Sequence, residues 1–418
     1  MSAVATPEAA VAGALAPSCR AAVVQPVLPP VPRMADLKAT DKPCVLLTSV
    51  RIPDGQLWAN GLFANVFILY RMMESAGFFP WLLVDNINNG VDGTLARTFR
   101  QVDVNGFAAA PFKVAAYVEL AMSCDPTIRR FFKAMGAKTI KLYLGNILNI
   151  DVETPMFYPT MNFSHHVAGE LDEIWVSPHY EQHAEYAAAI NGLPSSAVKV
   201  APYVWDPMFI KDAGGAGIVE LYTPPPPQTP RAFVIMCPNI SHQKCSWVSI
   251  MAVEAYARKH PGAVEALVVV NGKKLAELPF VAKTLLPTLT LASQGKLHML
   301  GRAETQAVAK SLRSAIVVQH QQNNEYNYSF LEWMTMGFPV VHNAPTLEGY
   351  AYSYPGADVD AAVEAIERAV LVHDAQREAY RAQAHQLAWR FSIHNPDNMA
   401  TWRDMLGLGV PPTPPPSV

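Results

Sequence analysis

The sequence predicts an α/β protein of two Rossmann-like lobes. Three observations carry that expectation. The chain has 418 residues, half of them hydrophobic and 16% charged, which is material for two packed cores. Short apolar runs alternate with helical patterns in two series, separated by a Pro/Gly-rich stretch from Trp205 to Pro230. Residues Ser314 to Asn343 read as strand, polar loop, amphipathic helix, a Gly337-Phe-Pro339 stop and a second strand, which is half of a Rossmann-like unit.

In the first series, Cys44–Thr48 is a short apolar run that reads as a strand. Residues 60–76 carry Leu62, Phe63, Val66, Phe67, Leu69 and Tyr70 at helical spacing and end at Gly77, a C-cap signal. Further strands are expected at Phe79–Val84, Lys113–Leu120, Thr139–Leu144, Glu173–Val176 and Val198–Ala201, with a helix over His179–Ile190. The second series places strands at Ala232–Cys237, Ala266–Val270, Lys296–Leu300, Ile316–Gln319 and Phe338–Val341. Helices fall at 247–259, 304–312 and 327–336, followed by Asp360–His373 and Ala375–Phe391. The expected organisation is a disordered leader (1–40), an N-terminal lobe (41–205), a linker (206–230), a C-terminal lobe (231–384), one long helix (385–408) and a disordered tail (409–418).

Composition removes several classes. A net charge of −3 with no basic block provides no field for nucleic acid. No apolar run reaches the roughly 18 residues that a membrane span needs. Pro7, Glu8 and the prolines of 26–32 argue against a signal peptide. Cys19, Cys44, Cys124, Cys237 and Cys245 are scattered, as expected of reduced thiols in a cytoplasmic protein. No metal motif is present, and Asp85-Asn-Ile-Asn is not a D-x-D pair, so no metal is expected.

Chemistry concentrates in His320–Asn327, where a strand ends and a helix begins. Such a loop offers backbone N–H groups and a helix N-terminus to a phosphate. Asn323, Asn324, Glu325, Tyr326 and Asn327 add hydrogen-bonding groups for hydroxyls. Phosphate plus hydroxyls describes a nucleotide-sugar. Lys244 follows the strand ending at Cys237 and can neutralise a diphosphate. Gly301 and Arg302 occupy another strand–helix turn. Gly61, at a helix start, permits close backbone approach. His165 and His166 could hydrogen-bond a sugar or act as a general base.

The 320–343 segment resembles the donor motif of retaining GT-B glycosyltransferases, in which two Glu residues separated by seven others precede Gly-x-Pro-Val-Val. Glu332 and Gly337-Phe-Pro339-Val340-Val341 match; eight residues before Glu332 stands Asn324, with Glu325 one residue later. The resemblance covers roughly residues 42–408. It implies a GT-B fold with a deep cleft between lobes and a metal-independent transfer from a UDP- or GDP-type sugar. The acceptor would be a carbohydrate or glycosylated molecule, and peripheral membrane association suits a lipid-linked one. It assigns Glu332 to the ribose, Lys244, with Arg302 beside it, to the donor phosphates, and the 301–302 turn to the nucleobase. An inverting GT-B transferase, a nucleotide-sugar 2-epimerase and a non-catalytic binding protein remain as alternatives.

Overall fold

The computed structural model describes residues 42–50, 52, 61–84, 99–103, 114–120, 124–157, 170–210 and 220–407. They form two compact units, one of residues 42–206 with 389–407, the other of residues 207–388.

The first unit is built on seven strands: β1 (Cys44–Thr48), β2 (Phe79–Val84), β3 (Gln101–Asp103), β4 (Val114–Glu119), β5 (Lys138–Tyr143), β6 (Glu173–Val176) and β7 (Val198–Val200). Their order is β3-β2-β1-β4-β5-β6-β7, with every pair parallel. In register, Leu46 lies between Trp81 and Tyr117, and all three are fully buried. A parallel sheet covered on both faces favours continuous apolar runs, which is why β1 and β2 read so plainly. The helices of this unit include α1 (Gly61–Ser75), α2 (Pro126–Ala134), α3 (Ile147–Phe157) and α4 (Ala184–Ile190). The expected helix over 179–190 begins as a 3-10 turn, Pro178–His183, before α4.

In the second unit six strands, β8 (Arg231–Met236), β9 (Val264–Val270), β10 (Leu297–Met299), β11 (Ile316–Val318), β12 (Val340–His342) and β13 (Tyr352–Ser353), form the sheet β10-β9-β8-β11-β12-β13, again all parallel. Its helices include α5 (Trp247–Lys259), α6 (Thr305–Ser311), α7 (Tyr328–Thr335), α8 (Val359–Val372) and α9 (Arg377–Phe391). Residues 220–223, expected in the linker, pack on this unit: Leu221 N–H donates to Met336 O at 3.1 Å and Thr223 N–H to Arg313 O at 2.8 Å.

The expected single helix over 385–408 is corrected. α9 stops at Phe391, a turn follows, and α10 (Pro396–Met405) starts afresh. Pro396 has no N–H to continue α9 and disfavours helical backbone at Asn395. Asn395 instead caps α10, accepting from Asp397 N–H at 2.9 Å. Trp402 of α10 meets Trp175 edge-on at 5.5 Å, and Lys138 donates to Met405 O at 2.7 Å. Gly77 ends α1 at φ +87°. A Cβ there would lie 2.9 Å from Arg403 Nη1, which donates to Ala76 O at 2.5 Å.

Candidate functional site

The second sheet reverses direction between β8 and β11, and open α/β sheets bind ligands outside the carboxyl ends at such a point. The loop after β8 is organised by Asn239, in left-handed backbone at φ +54°. Its Oδ1 accepts from Ser246 N–H at 2.8 Å, just before α5. Its Nδ2 donates to Cys237 O and Asn271 O, both at 3.2 Å, and its N–H closes on Lys244 O at 2.8 Å. Asn271 N–H in turn donates to Gly301 O at 3.0 Å. Asn239 and Asn271 thereby fasten together the loops leaving β8, β9 and β10.

The loop after β11 is fixed from two sides. Asn343, at the end of β12, holds Gln321 through both main-chain groups: its Oδ1 accepts from Gln321 N–H at 2.7 Å, and its Nδ2 donates to Gln321 O at 2.9 Å. From the other side Gln243 Nε2 donates to Asn323 O at 3.1 Å. Asn323 is left-handed at φ +50°. Gln243 thus links the two loops that flank the switch point.

Lys244 sits next to that joint. It is half-buried, and its ammonium has no ion pair and no hydrogen bond among the described residues; burial holds its pKa below the usual lysine value. A half-buried cation without a partner interacts strongly with an arriving anion, because little water screens it. His320 is buried, with Nδ1 at 3.1 Å from the Tyr354 hydroxyl; burial, and then the nearby His242, depress its pKa. Glu325 is raised by burial, and its Oε2 is buried with no hydrogen-bond partner. Glu332 is pushed up to about 7, chiefly by burial and further by Glu304, against a hydrogen bond from Thr305 at the start of α6. That contact sets Glu332 against the strand–helix turn containing Gly301 and Arg302.

The structure thus brings Lys244 and Asn323 to one joint and Glu332 to the neighbouring turn. Gly301 and Arg302 are exposed, and Tyr326 is half-buried. The Asn side chains are less open than a hydroxyl-binding loop suggests. Asn324 is buried and donates to Gln321 Oε1 at 3.0 Å. Asn327 caps α7, its Oδ1 accepting from Ser329 N–H at 3.0 Å. His342, the last residue of β12, is 1% exposed; its Nδ1 accepts from Ala344 N–H and its Nε2 donates to Tyr350 O at 2.8 Å. It is a core residue. Gly61 opens α1 and is exposed, and among the described residues outside its own helix nothing comes within 4 Å of where a Cβ would stand. His165, His166 and most of the 51–60 loop lie outside the described residues. Gln243, Asn239 and the His320 side chain were not singled out from sequence. An Asn soon after a strand, preceded by Pro238, was the available signal for Asn239; nothing local marked Gln243.

Two parallel Rossmann-like sheets, the second with its polar groups at the switch point, are the architecture of GT-B proteins. The chain belongs to the family described as Protein of unknown function (DUF2827), whose model matches residues 46–406. Among solved structures it is similar to a glycosyltransferase from Rickettsia africae, with a TM-score of 0.56 at 13% identity over 88% of this chain and 100% of that one. A sucrose-phosphate synthase from Thermosynechococcus elongatus matches with a TM-score of 0.52 at 11% identity, covering 87% and 98%. HepE from Anabaena, solved with UDP and glucose, matches with a TM-score of 0.50 at 13% identity, covering 85% and 98%. At these identities the likeness establishes the GT-B fold. A search of curated proteins gives no match.

Proposed function

We propose that the chain transfers a sugar from a nucleotide diphosphate sugar to a hydroxyl-bearing acceptor (a glycan, lipid-linked glycan or protein) with retention of configuration. The observation that carries this reading is the half-buried Lys244 ammonium at the switch point, unpaired among the described residues and beside the loop that the donor motif occupies. In this reading Lys244 balances the diphosphate as negative charge develops on the leaving group. Arg302, exposed in its turn, adds charge from the side, and the N-terminus of α7 lies close to the phosphates. Glu332 holds the ribose; with its carboxyl held near neutrality it can donate as well as accept. Glu325, whose Oε2 is without a partner, supplies the carboxylate near the sugar that Asn324 does not. A donor phosphate oxygen takes the acceptor proton on the face that the leaving group departs from, so no protein nucleophile is required. The first unit binds the acceptor, with His165 or His166 as the candidate acceptor-side imidazole, in a cytoplasmic setting.

A second reading, a GT-B protein that binds nucleotide without transfer, has one observation in its favour: Asn324 is buried and bonded to Gln321 instead of being presented to a substrate. Calorimetric titration and thermal shift with UDP, GDP and their sugars separate the readings when followed by turnover with and without acceptors. The expected result is binding of one nucleotide, raised melting temperature in its presence, and about tenfold or greater loss in Lys244→Ala and in Glu332→Ala. Binding without release of free nucleotide under any acceptor would favour the second reading. Failure of the wild-type chain to bind any nucleotide would remove both.

A further inference from the structure

We infer that Gln243 is a positioning residue that assembles the site from its two loops; this rests on the donor-site reading above. Gln243 belongs to the short turn His242–Lys244 after β8, and Asn323 lies 80 residues further along, after β11. Only 5% of Gln243 is exposed. The atom facing Asn323 O must be Nε2, since a carbonyl oxygen can only accept. That leaves Oε1 as the amide atom not used by any described residue. The bond does two things at once. It seats the backbone of Asn323, which a non-glycine side chain adopts at some cost at φ +50°. It also fixes the register between the turn carrying Lys244 and the loop carrying Asn324, Glu325 and Tyr326.

Each loop is separately anchored elsewhere, one through Asn239 to Asn271 and the other through Gln321 to Asn343. Gln243 supplies the cross-tie at the point where a diphosphate would bridge them. Without it the fold keeps both anchors, but the cation and the loop lose their mutual register, and ordering them falls to the ligand. A ligand that must order its own site binds more weakly than one meeting a preformed site.

Two substitutions test this. Gln243→Glu keeps the shape but turns an acceptor toward Asn323 O; Gln243→Met keeps the volume and removes both polar atoms. The first readout is amide hydrogen exchange of residues 320–327 without ligand, beside the melting temperature. The second is affinity for UDP and GDP by calorimetry. Faster exchange in 320–327 in both variants, with exchange in the β8 and β9 strands unchanged, together with about tenfold weaker nucleotide binding, is expected. Unchanged exchange in 320–327 overturns the cross-tie whatever the nucleotides do. Faster exchange with undiminished affinity overturns the positioning role while leaving the donor site standing. If the wild-type chain binds neither nucleotide, the donor-site reading fails, and that result is visible separately from the exchange data.

Discussion

At the scale of single residues, Glu332 is the group whose ionisation the fold resists. Burial, with Glu304 beside it, pushes its carboxyl up from 4.5 to about 7. Between those values the folded chain holds a proton that the unfolded chain has released, so stability falls as pH rises through this window. The penalty is complete above pH 7. Since part of the side chain still reaches solvent, it amounts to about 1 kcal/mol. Glu332→Gln should therefore melt higher than wild type at pH 8 and no higher at pH 4.5, with the difference growing between. Parallel melting curves at every pH would contradict the account. A carboxylate kept at a stability cost fits a group retained for a ligand, and Lys244, a half-buried cation without a partner among the described residues, follows the same pattern.

At the scale of elements, α7 carries the donor motif and is defined at both ends by side-chain chemistry. Asn327 caps its start. At its end Gly337 takes φ +87°, with Gly337 N–H bonded to Met334 O and Phe338 N–H to Trp333 O at 3.1 Å each, the double bond of a Schellman turn. A Cβ on Gly337 would also stand 3.0 Å from Glu220 Cγ, and Glu220 is held by Arg377 at 2.7 Å and by Arg381. Asn327→Ala should cost about 1 kcal/mol, and Gly337→Ala about 1–2 kcal/mol from backbone strain and the Glu220 contact. The substitutions lie at opposite ends of the helix, so the double variant should lose the sum to within about 0.5 kcal/mol in urea melts. A marked shortfall would mean that the helix frays as one unit from either end.

At the scale of the whole molecule, acid stability should be governed by two buried imidazoles in the second unit. His342 and His373 are each held down to about 4, mainly by burial. His342 Nδ1 accepts from a main-chain N–H, so a proton there would displace a hydrogen bond. His373 has both nitrogens placed, at 3.1 Å from Gly337 O and from the Tyr352 hydroxyl. For such bases the unfolded chain binds protons first. Their stabilisation is fully present above pH 6.5 and is lost as pH falls from 6.5 to 4, on the order of 2–3 kcal/mol each at the acid limit. Urea midpoints should drop across that interval, less steeply in His342→Asn. Glu332 acts in the opposite sense over part of the window, so the comparison is best made in Glu332→Gln. A midpoint independent of pH between 6.5 and 4.5 would refute the assignment.

How much of this was legible in the residues follows from range. The longer strands were readable because parallel sheets bury both faces, so several carry an unbroken apolar run such as Ala266–Val270. The edge where polar loops gather was readable too, because a parallel sheet brings together the loops that follow its strands. Lys244 and Glu332 were placed near that edge by this rule and the motif. β3 and β13 were missed because neither Gln101-Val-Asp103 nor Tyr352-Ser353 forms an apolar run. α2 and α3 were missed as well, the latter carrying Pro155 inside it. The amphipathic pattern runs on through Pro396, whose missing N–H ends one helix and starts the next. What only the tertiary structure decided is which polar groups are already used. Asn324 turns inward to Gln321, Asn327 caps its helix, His342 joins the core, and Gln243 reaches Asn323 across 80 residues. Sequence alone determined that this chain is a pair of Rossmann-like sheets with a polar edge. The division of that edge into structural and available groups depends on hydrogen bonds between distant segments, and those are set only when the loops meet.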